Sequence, residues 1–180
     1  MKSRDMKLPL ITLLADCPFF LFPERDYSLS HHPVSALEAS TQLIHQLFYF
    51  LDESNYTELL KLFTPDGRWT RQGEDCSGHQ HIMQSLMTRS TTQRIRHVIS
   101  NSFLPSQTAT GATLTAYMTA YRFDDGSHKA GPVTISQPFR LSVVHARLVV
   151  VDDHWRVAEL AHPSEFEFAH DGASAAASRP

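Results

Sequence analysis

The clearest pattern in the chain is an alternation of apolar and polar positions over residues 94–100. Ile95, His97 and Ile99 share one side of a strand with this period, and Phe103 follows two pairs later. The pattern predicts that this side is buried, with Phe103 included. An imidazole is therefore expected among apolar side chains, which makes His97 the first candidate for chemistry.

Before this strand, apolar residues recur at the three- and four-residue steps of amphipathic helices. The steps predict a first helix ending near Asp52, where the turn formers of "DESN" follow. A short second helix comes next. "TPDG" predicts a turn and "RWTRQG" a short strand. A third helix is expected over "SGHQHIMQSLMTRS", with Ser77 as its N-cap.

From residue 94 onward the period is two, and residues 94–104, 108–123 and 137–162 are predicted as strands. The acidic pair of "VVVDDHWRVAEL" predicts a hairpin turn. Helices followed by a run of strands indicate an α+β fold with an antiparallel sheet. The predicted boundaries are an N-terminal arm over 1–32, one domain over 33–164 and a flexible tail over 165–180.

Composition narrows the class of protein. Apolar residues make up 42% of the chain and charged residues 19%, as in ordinary globular proteins. The net charge of −3 gives no footprint for nucleic acid or an anionic membrane, so neither is expected as a partner. Two cysteines cannot form a disulfide framework, which favours the cytoplasm. The apolar start is expected to be an arm rather than an export signal, because Asp16 precedes Cys17.

Four segments in order carry a family resemblance: "FLDESNYTELLKLFTPDGRW", "CSGHQHIMQSLM", "RIRHVISNSFL" and "DDHWRVAEL". Together they resemble the SnoaL-like branch of the nuclear transport factor two-like superfamily, over about residues 34–160. The resemblance implies a cone: a curved antiparallel β-sheet wrapped around a long N-terminal helix, with two shorter helices and an apolar pocket. Relatives include dehydratases, isomerases, polyketide cyclases and non-catalytic small subunits of ring-hydroxylating dioxygenases, so the fold does not determine the function.

The resemblance gives His97 a partner. In scytalone dehydratase-like relatives, an aspartate after the first helix hydrogen-bonds a histidine inside the cone, and Asp52 and His97 occupy the matching positions. A carboxylate on one ring nitrogen fixes the tautomer and leaves the other nitrogen for acid/base work. Two positions differ, since Leu51 replaces a family tyrosine and Met118 a second histidine. A purely structural Asp–His pair is the alternative.

In a cone the core and the pocket share one face, so core residues are also the predicted pocket wall. The predicted set is Phe48, Phe63, Trp69, Ile95, Ile99, Phe103, Leu114 and Met118. Tyr49, Tyr117 and Tyr121 are candidates for the missing donors, although periodicity places the last two on the opposite face. No metal or other cofactor is expected, because His79 and His81 point to different sides of a predicted helix.

These observations favour a cofactor-free lyase or isomerase (dehydratase, ketosteroid-isomerase-like or polyketide-cyclase-like) acting on a small apolar cyclic molecule. The alternative is a non-catalytic small (beta) subunit of a ring-hydroxylating dioxygenase, trimeric with its large subunit, or a non-enzymatic ligand-binding module; "RHVISN" resembles a strand of such subunits. A homodimer is predicted through an outer sheet face, whose members share one parity: Val98, Thr115, Tyr117, Thr119, Tyr121 and Phe123.

Overall fold

Three helices and seven strands make up the part of the chain that the computed structural model describes, residues 35–169. The helices are α1 (Ala36–Asp52), α2 (Tyr56–Lys61) and α3 (Gly78–Met87). The strands are β1 (Phe63–Arg71), β2 (Glu74–Ser77), β3 (Arg94–Gln107), β4 (Gly111–Phe123), β5 (Arg140–Val151), β6 (His154–Ala161) and β7 (Ser164–Glu167).

Helix α1 begins at a capping box. The Ser35 hydroxyl accepts from the Glu38 backbone N–H at 3.2 Å, and the Glu38 carboxylate accepts from the Ser35 backbone N–H at 2.9 Å. The helix ends at Asp52 as predicted, before Ser54 adopts a positive φ of 55°. One stripe of α1 is buried against the sheet: Ser40, Leu43, Ile44, Leu47, Phe48 and Leu51. This packing holds the C-terminal end of α1 beside β3.

The strands form one sheet in the order β2-β1-β6-β5-β4-β3, and β7 adds to β5. This α+β arrangement confirms the predicted fold class. All pairs are antiparallel except β1 with β6, which run parallel. The purely antiparallel sheet predicted from the strand run is therefore corrected at one pair. β1 enters the sheet from helix α2 rather than from a hairpin, so no tight turn forces it to oppose β6.

The acidic hairpin turn is confirmed. Asp152 and Asp153 adopt positive φ values of 48° and 60° between β5 and β6. Positive φ at both central residues is the type I′ geometry, whose twist matches that of the flanking strands, and Asp tolerates it better than most residues. The turn sets the register in which β6 returns along β5.

A bulge in β3 reverses the alternation that the sequence suggests. Asn101 has a φ of 55°, and the pairing with β4 shifts register between Ser100 and Phe103. The extra residue turns Phe103 to the outer face, where it is 53% exposed. The predicted inward orientation of Phe103 is therefore wrong, whereas His97 and Ile99, which precede the bulge, keep the inward face.

Two boundaries also differ from the predictions. The "TPDG" turn lies inside β1, at an interruption of its pairing with β6 between Phe63 and Arg68. Strand β7 pairs with β5, so the predicted tail begins with sheet residues. The arm over residues 1–32 and residues 170–180 lie outside the described part. No helix within residues 35–169 is long and apolar enough to cross a membrane.

Candidate active site

Asp52 and His97 meet where the end of α1 packs against β3. The Asp52 Oδ1 lies 2.5 Å from the His97 Nδ1, and the Asp52 Oδ2 accepts the His97 backbone N–H at 2.8 Å. Their side chains are only 5% and 8% exposed. The two contacts orient the carboxylate and the ring together, because one acceptor group bonds both the backbone and the side chain of His97.

The contact with Asp52 determines which ring nitrogen of His97 can act. A carboxylate accepts hydrogen bonds, so Nδ1 carries the proton and donates it to Asp52. Nε2 is then the basic nitrogen, on a side chain that lines a cavity. The ring of Phe48 lies 5.2 Å from the His97 ring, centroid to centroid, and excludes water from one side.

The cavity that His97 lines has a volume of about 210 Å³, which suits a small cyclic molecule. Three adjacent strands form one side of the cavity. His97 on β3 pairs with Ala120 on β4, and Ala120 pairs with Arg140 on β5. Paired residues direct their side chains to the same face. The small side chain of Ala120 therefore leaves space between an imidazole and a guanidinium whose backbones are roughly 10 Å apart.

The eight predicted pocket residues divide into three groups. Ile95 and Met118 line the cavity. Phe48 is buried against the ring of His97, while four others belong to the hydrophobic core rather than to the cavity wall: Phe63, Trp69, Leu114 and the partly buried Ile99. Phe103 lies on the outer face. The cavity wall is consequently more polar than predicted.

A second histidine, absent from the predicted site, also lines the cavity. His162 follows β6, with its ring 6.1 Å from Phe48 and 5.9 Å from Trp69 between centroids. Both of its ring nitrogens are buried without a hydrogen-bond partner among the described residues. Burial, and after it the electrostatic interaction with the neighbouring His97, lowers the pKa of His162 from 6.5 to about 4. His162 is therefore neutral at physiological pH.

A signal for His162 was present in the sequence. Leu160 is buried and stands two residues before His162. If the alternation of β6 continues for one residue beyond its end, His162 points to the same inner face as Leu160. Leu160 pairs with Trp69 on β1, and this neighbour explains the ring contact of His162.

Four arginines complete the cavity wall: Arg71, Arg89, Arg122 and Arg140. The Arg71 Nη1 donates to the backbone and hydroxyl oxygens of Ser85, both at 3.0 Å. The Arg89 Nη1 donates to the Leu51 carbonyl at 2.5 Å and to the Tyr56 hydroxyl at 3.1 Å. Arg71 is thus bonded to the last turn of α3, and Arg89 to the last turn of α1. Both guanidinium groups carry positive charge at the cavity wall.

No cluster of three or more metal-binding side chains is found within residues 35–169. Neither His79 nor His81 lines the cavity. His81 is exposed and its Nδ1 accepts the Ser77 backbone N–H at 3.3 Å, whereas His79 is half-buried and its Nε2 is buried without a hydrogen-bond partner among residues 35–169.

A family comparison agrees with this geometry. The family model of the SnoaL-like domain matches residues 33–161, most of the chain. The chain belongs to the SnoaL-like family. No curated protein matches it.

Solved structures show the same fold as this SnoaL-like domain. A cystatin-like protein of unknown function from Nostoc punctiforme is 17% identical, with a TM-score of 0.60 over 73% of this chain and 94% of that one. A candidate scytalone dehydratase from Novosphingobium aromaticivorans is 17% identical, with a TM-score of 0.60 over 73% and 85%. A candidate aromatic ring hydroxylase from the same species is 14% identical, with a TM-score of 0.59 over 71% and 87%.

Within residues 35–169, the SnoaL-like domain brings no tyrosine hydroxyl to its cavity. Tyr49, Tyr117 and Tyr121 are 62%, 46% and 37% exposed, and none of them lines the cavity. Leu51 and Met118, which replace the two expected polar groups, both line it. The polar partners of His97 across the cavity are instead His162 and the arginines.

Proposed function

We propose that this SnoaL-like domain is a cofactor-free lyase or isomerase that moves a proton on a small cyclic molecule. The observation that carries the proposal is the double contact between Asp52 and His97, which leaves Nε2 as a base in a cavity. Similarity of fold to a candidate scytalone dehydratase supports the reaction class. Membership of the SnoaL-like family supports small-molecule binding.

In the proposed reaction, His97 Nε2 removes a proton from the carbon beside a carbonyl or a hydroxyl-bearing carbon. The electron pair of that C–H bond forms a C=C bond, and the π electrons of the carbonyl move to its oxygen, which gives an enolate. As the carbonyl re-forms, the imidazolium returns the proton either to another carbon of the conjugated system, which completes an isomerisation, or to a β-hydroxyl whose C–O bond breaks, so that it leaves as water. Asp52 stabilises the imidazolium and keeps its ring in the reactive orientation.

His162 supplies the polarising group in this scheme. Because its pKa lies at about 4, the ring stays neutral at pH 7 and keeps one N–H to donate. Neither ring nitrogen is engaged by the described residues, so the N–H is available to a substrate oxygen. A preoriented donor aimed at developing negative charge typically lowers the barrier by several kcal/mol, roughly 3 for a single donor.

A second candidate is a non-catalytic role, as a dioxygenase small subunit or a ligand-binding module. The fold similarity to a candidate aromatic ring hydroxylase favours it, and so does the fact that no tyrosine in the described part of the chain lines the cavity. In that case the Asp52–His97 pair joins α1 to β3 and performs no chemistry. The cytoplasmic location and the absence of a cofactor remain predictions under either candidate. The homodimer is predicted for the enzyme, whereas a dioxygenase small subunit is expected to be trimeric with its large subunit.

The reaction class is tested by proton exchange. A panel of one- and two-ring ketones, with and without a β-hydroxyl, is screened by thermal shift, since binding to the folded state raises the melting temperature. Ligands that bind are incubated in D₂O and followed by ¹H NMR for deuterium beside the carbonyl and for loss of water. We expect protein-dependent exchange or dehydration. Ketones that bind without either reaction would contradict the proposal, as would a panel that never binds.

A further inference from the structure

The arginines of the cavity carry positive charge that the described residues leave uncompensated. Within residues 35–169, Arg71, Arg89 and Arg140 have no carboxylate within 4.0 Å. Arg122 alone of the four has one, Asp124 at 3.7 Å. Of the described Asp and Glu side chains, none lines the cavity. Buried and half-buried charges of one sign are costly unless something of opposite sign joins them.

Of the four cavity arginines, Arg140 is the one whose side chain has neither a hydrogen bond nor an ion pair among residues 35–169. Its Nε is buried without a partner, and no hydrogen bond joins its side chain to residues 35–169. The guanidinium lies 4.4 Å from the centroid of the Phe139 ring, which limits its orientation. Glu167 stands opposite Arg140 in the β5–β7 register but makes no ion pair with it.

The charges also act on one another. Burial, followed by the positive charges of Arg89 and Arg140, lowers the pKa of Arg71. Arg71 and Arg140 likewise contribute to lowering the pKa of His162. Among the described residues, Asp124 balances Arg122 and Asp52 lies against His97, so Arg71, Arg89 and Arg140 leave the cavity wall with a net positive charge.

We infer that the substrate carries a carboxylate, which Arg140 binds as a planar two-point pair while the ring of the substrate spans Ala120 toward His97. A guanidinium presents parallel N–H groups that match the two oxygens of a carboxylate. Leu51, Ile95 and Met118 supply apolar contacts for the ring. The inference rests on the proposed function and gives it a substrate class: a small cyclic acid, rather than the uncharged, largely apolar molecule expected from the sequence.

The test compares two probes of the same shape, 2-naphthoate and its neutral amide 2-naphthamide, by calorimetric titration of the full-length protein. We expect the wild type to bind the carboxylate about tenfold or more tightly than the amide. Arg140→Gln should abolish this preference. Arg147→Gln is the matched control, because Arg147 lies on the same strand but pairs with Glu159 at the surface, with no contact to the cavity; it should keep the preference.

Several results would overturn the inference: equal binding of the two probes by the wild type, an unchanged preference in Arg140→Gln, or loss of the preference in Arg147→Gln. If inorganic phosphate binds as tightly as 2-naphthoate, the claim that the cavity also binds the ring of the substrate is overturned. If Arg140→Gln does not fold, Arg140→Lys is used, which keeps the charge but not the two-point geometry, and it should weaken 2-naphthoate selectively. Should Arg140→Lys bind 2-naphthoate as the wild type does, the two-point pair is excluded.

The experiments distinguish a failure of the anion site from a failure of the proposed proton transfer. His97→Asn should lose proton exchange but keep the preference for 2-naphthoate. A preference for the carboxylate without exchange of any ketone would leave the anion site standing and remove the proposed reaction. Exchange of neutral ketones without any preference for the carboxylate would leave the proposed reaction standing and remove the anion site.

Discussion

The carboxylate of Asp52 binds His97 twice, through the ring Nδ1 at 2.5 Å and through the backbone N–H at 2.8 Å. A pair with a ring contact alone would let the carboxylate rotate. The backbone contact also holds the carboxylate against the strand that carries the histidine, and so joins the end of α1 to the first half of β3. The same contact that satisfies a buried group also directs Nε2 toward the cavity.

Asp52→Asn should lower the rate of proton transfer by about 10²–10⁴. The amide can donate to Nδ1, which would place the ring proton on Nε2 and remove the base from the cavity. Stability should fall by about 1–3 kcal/mol, because a buried charge-assisted contact is lost. Deuterium exchange and thermal unfolding measure the two effects.

Glu53→Gln is the matched control for this change. Glu53 is the next residue and carries the same charge, but its partner is Arg96 at 2.9 Å on the surface. Exposed pairs of this kind contribute about 0–1 kcal/mol. Both rate and stability should therefore remain near wild type. A rate loss in Glu53→Gln equal to that in Asp52→Asn would mean that general charge, and not the contact with His97, explains the effect.

His162 should make the protein less stable in mild acid. The unfolded chain protonates this residue near pH 6.5, whereas the folded protein does so near pH 4. Between these values the unfolded state holds more protons, so the free energy of unfolding falls as the pH is lowered from about 6.5 to about 4, by at most roughly 3 kcal/mol. Urea unfolding across this interval should show a smaller loss in His162→Gln. Identical pH dependence in the two proteins would exclude this role.

The outer face of β3 and β4 supports the proposed homodimer. Val98, Phe103, Tyr117 and Tyr121 are 52%, 53%, 46% and 37% exposed. Light scattering should report a dimer at micromolar concentration, and Tyr117→Arg should shift it toward monomer, because a two-fold contact repeats the added charge. Tyr49→Arg, on α1, is the control that should leave the dimer intact. A wild-type monomer at this concentration would contradict the prediction.

The bulge in β3 should depend on the backbone preference of one residue. Asn101 adopts a φ of 55°, which asparagine tolerates and a β-branched residue does not. Asn101→Val should cost about 1–3 kcal/mol of stability, while Asn101→Gly should change it little. Since Asn101 is exposed and its side chain makes no hydrogen bond among the described residues, the comparison isolates the backbone term. Equal stability of the two variants would argue against strain at this position.

Residues in uninterrupted elements could be predicted from the sequence. The alternation over residues 94–100 places His97 inward, and the cluster of turn formers after Asp52 marks the end of α1. Phe103 could not be placed by alternation, since one bulge reverses the parity of all that follows. The alternation of apolar and polar residues does not show where an extra residue is inserted. The positive φ of Asn101, which marks the bulge, is visible only in the structure.

The charged wall of the cavity was missed for a different reason. Arg71, Arg122 and Arg140 lie at strand ends, in the same inward parity as Trp69, Ala120 and Ser142. Each position by itself is typical of a solvent-exposed strand end. Only the sheet order, which sets Arg140 beside Ala120 and Ala120 beside His97, shows that these side chains surround one space.

The central claim is that His97 acts on substrate and does not merely join two elements. Its most direct test measures proton-exchange rate and melting temperature together in His97→Asn, with the exposed α1 residue His45→Asn as control. We predict a loss of about 10²–10⁴ in the exchange rate per folded molecule, with a fall in stability no larger than the about 1–3 kcal/mol that the loss of the buried contact with Asp52 costs. A large fall in melting temperature, with an unchanged rate per folded molecule, would contradict the catalytic role of His97.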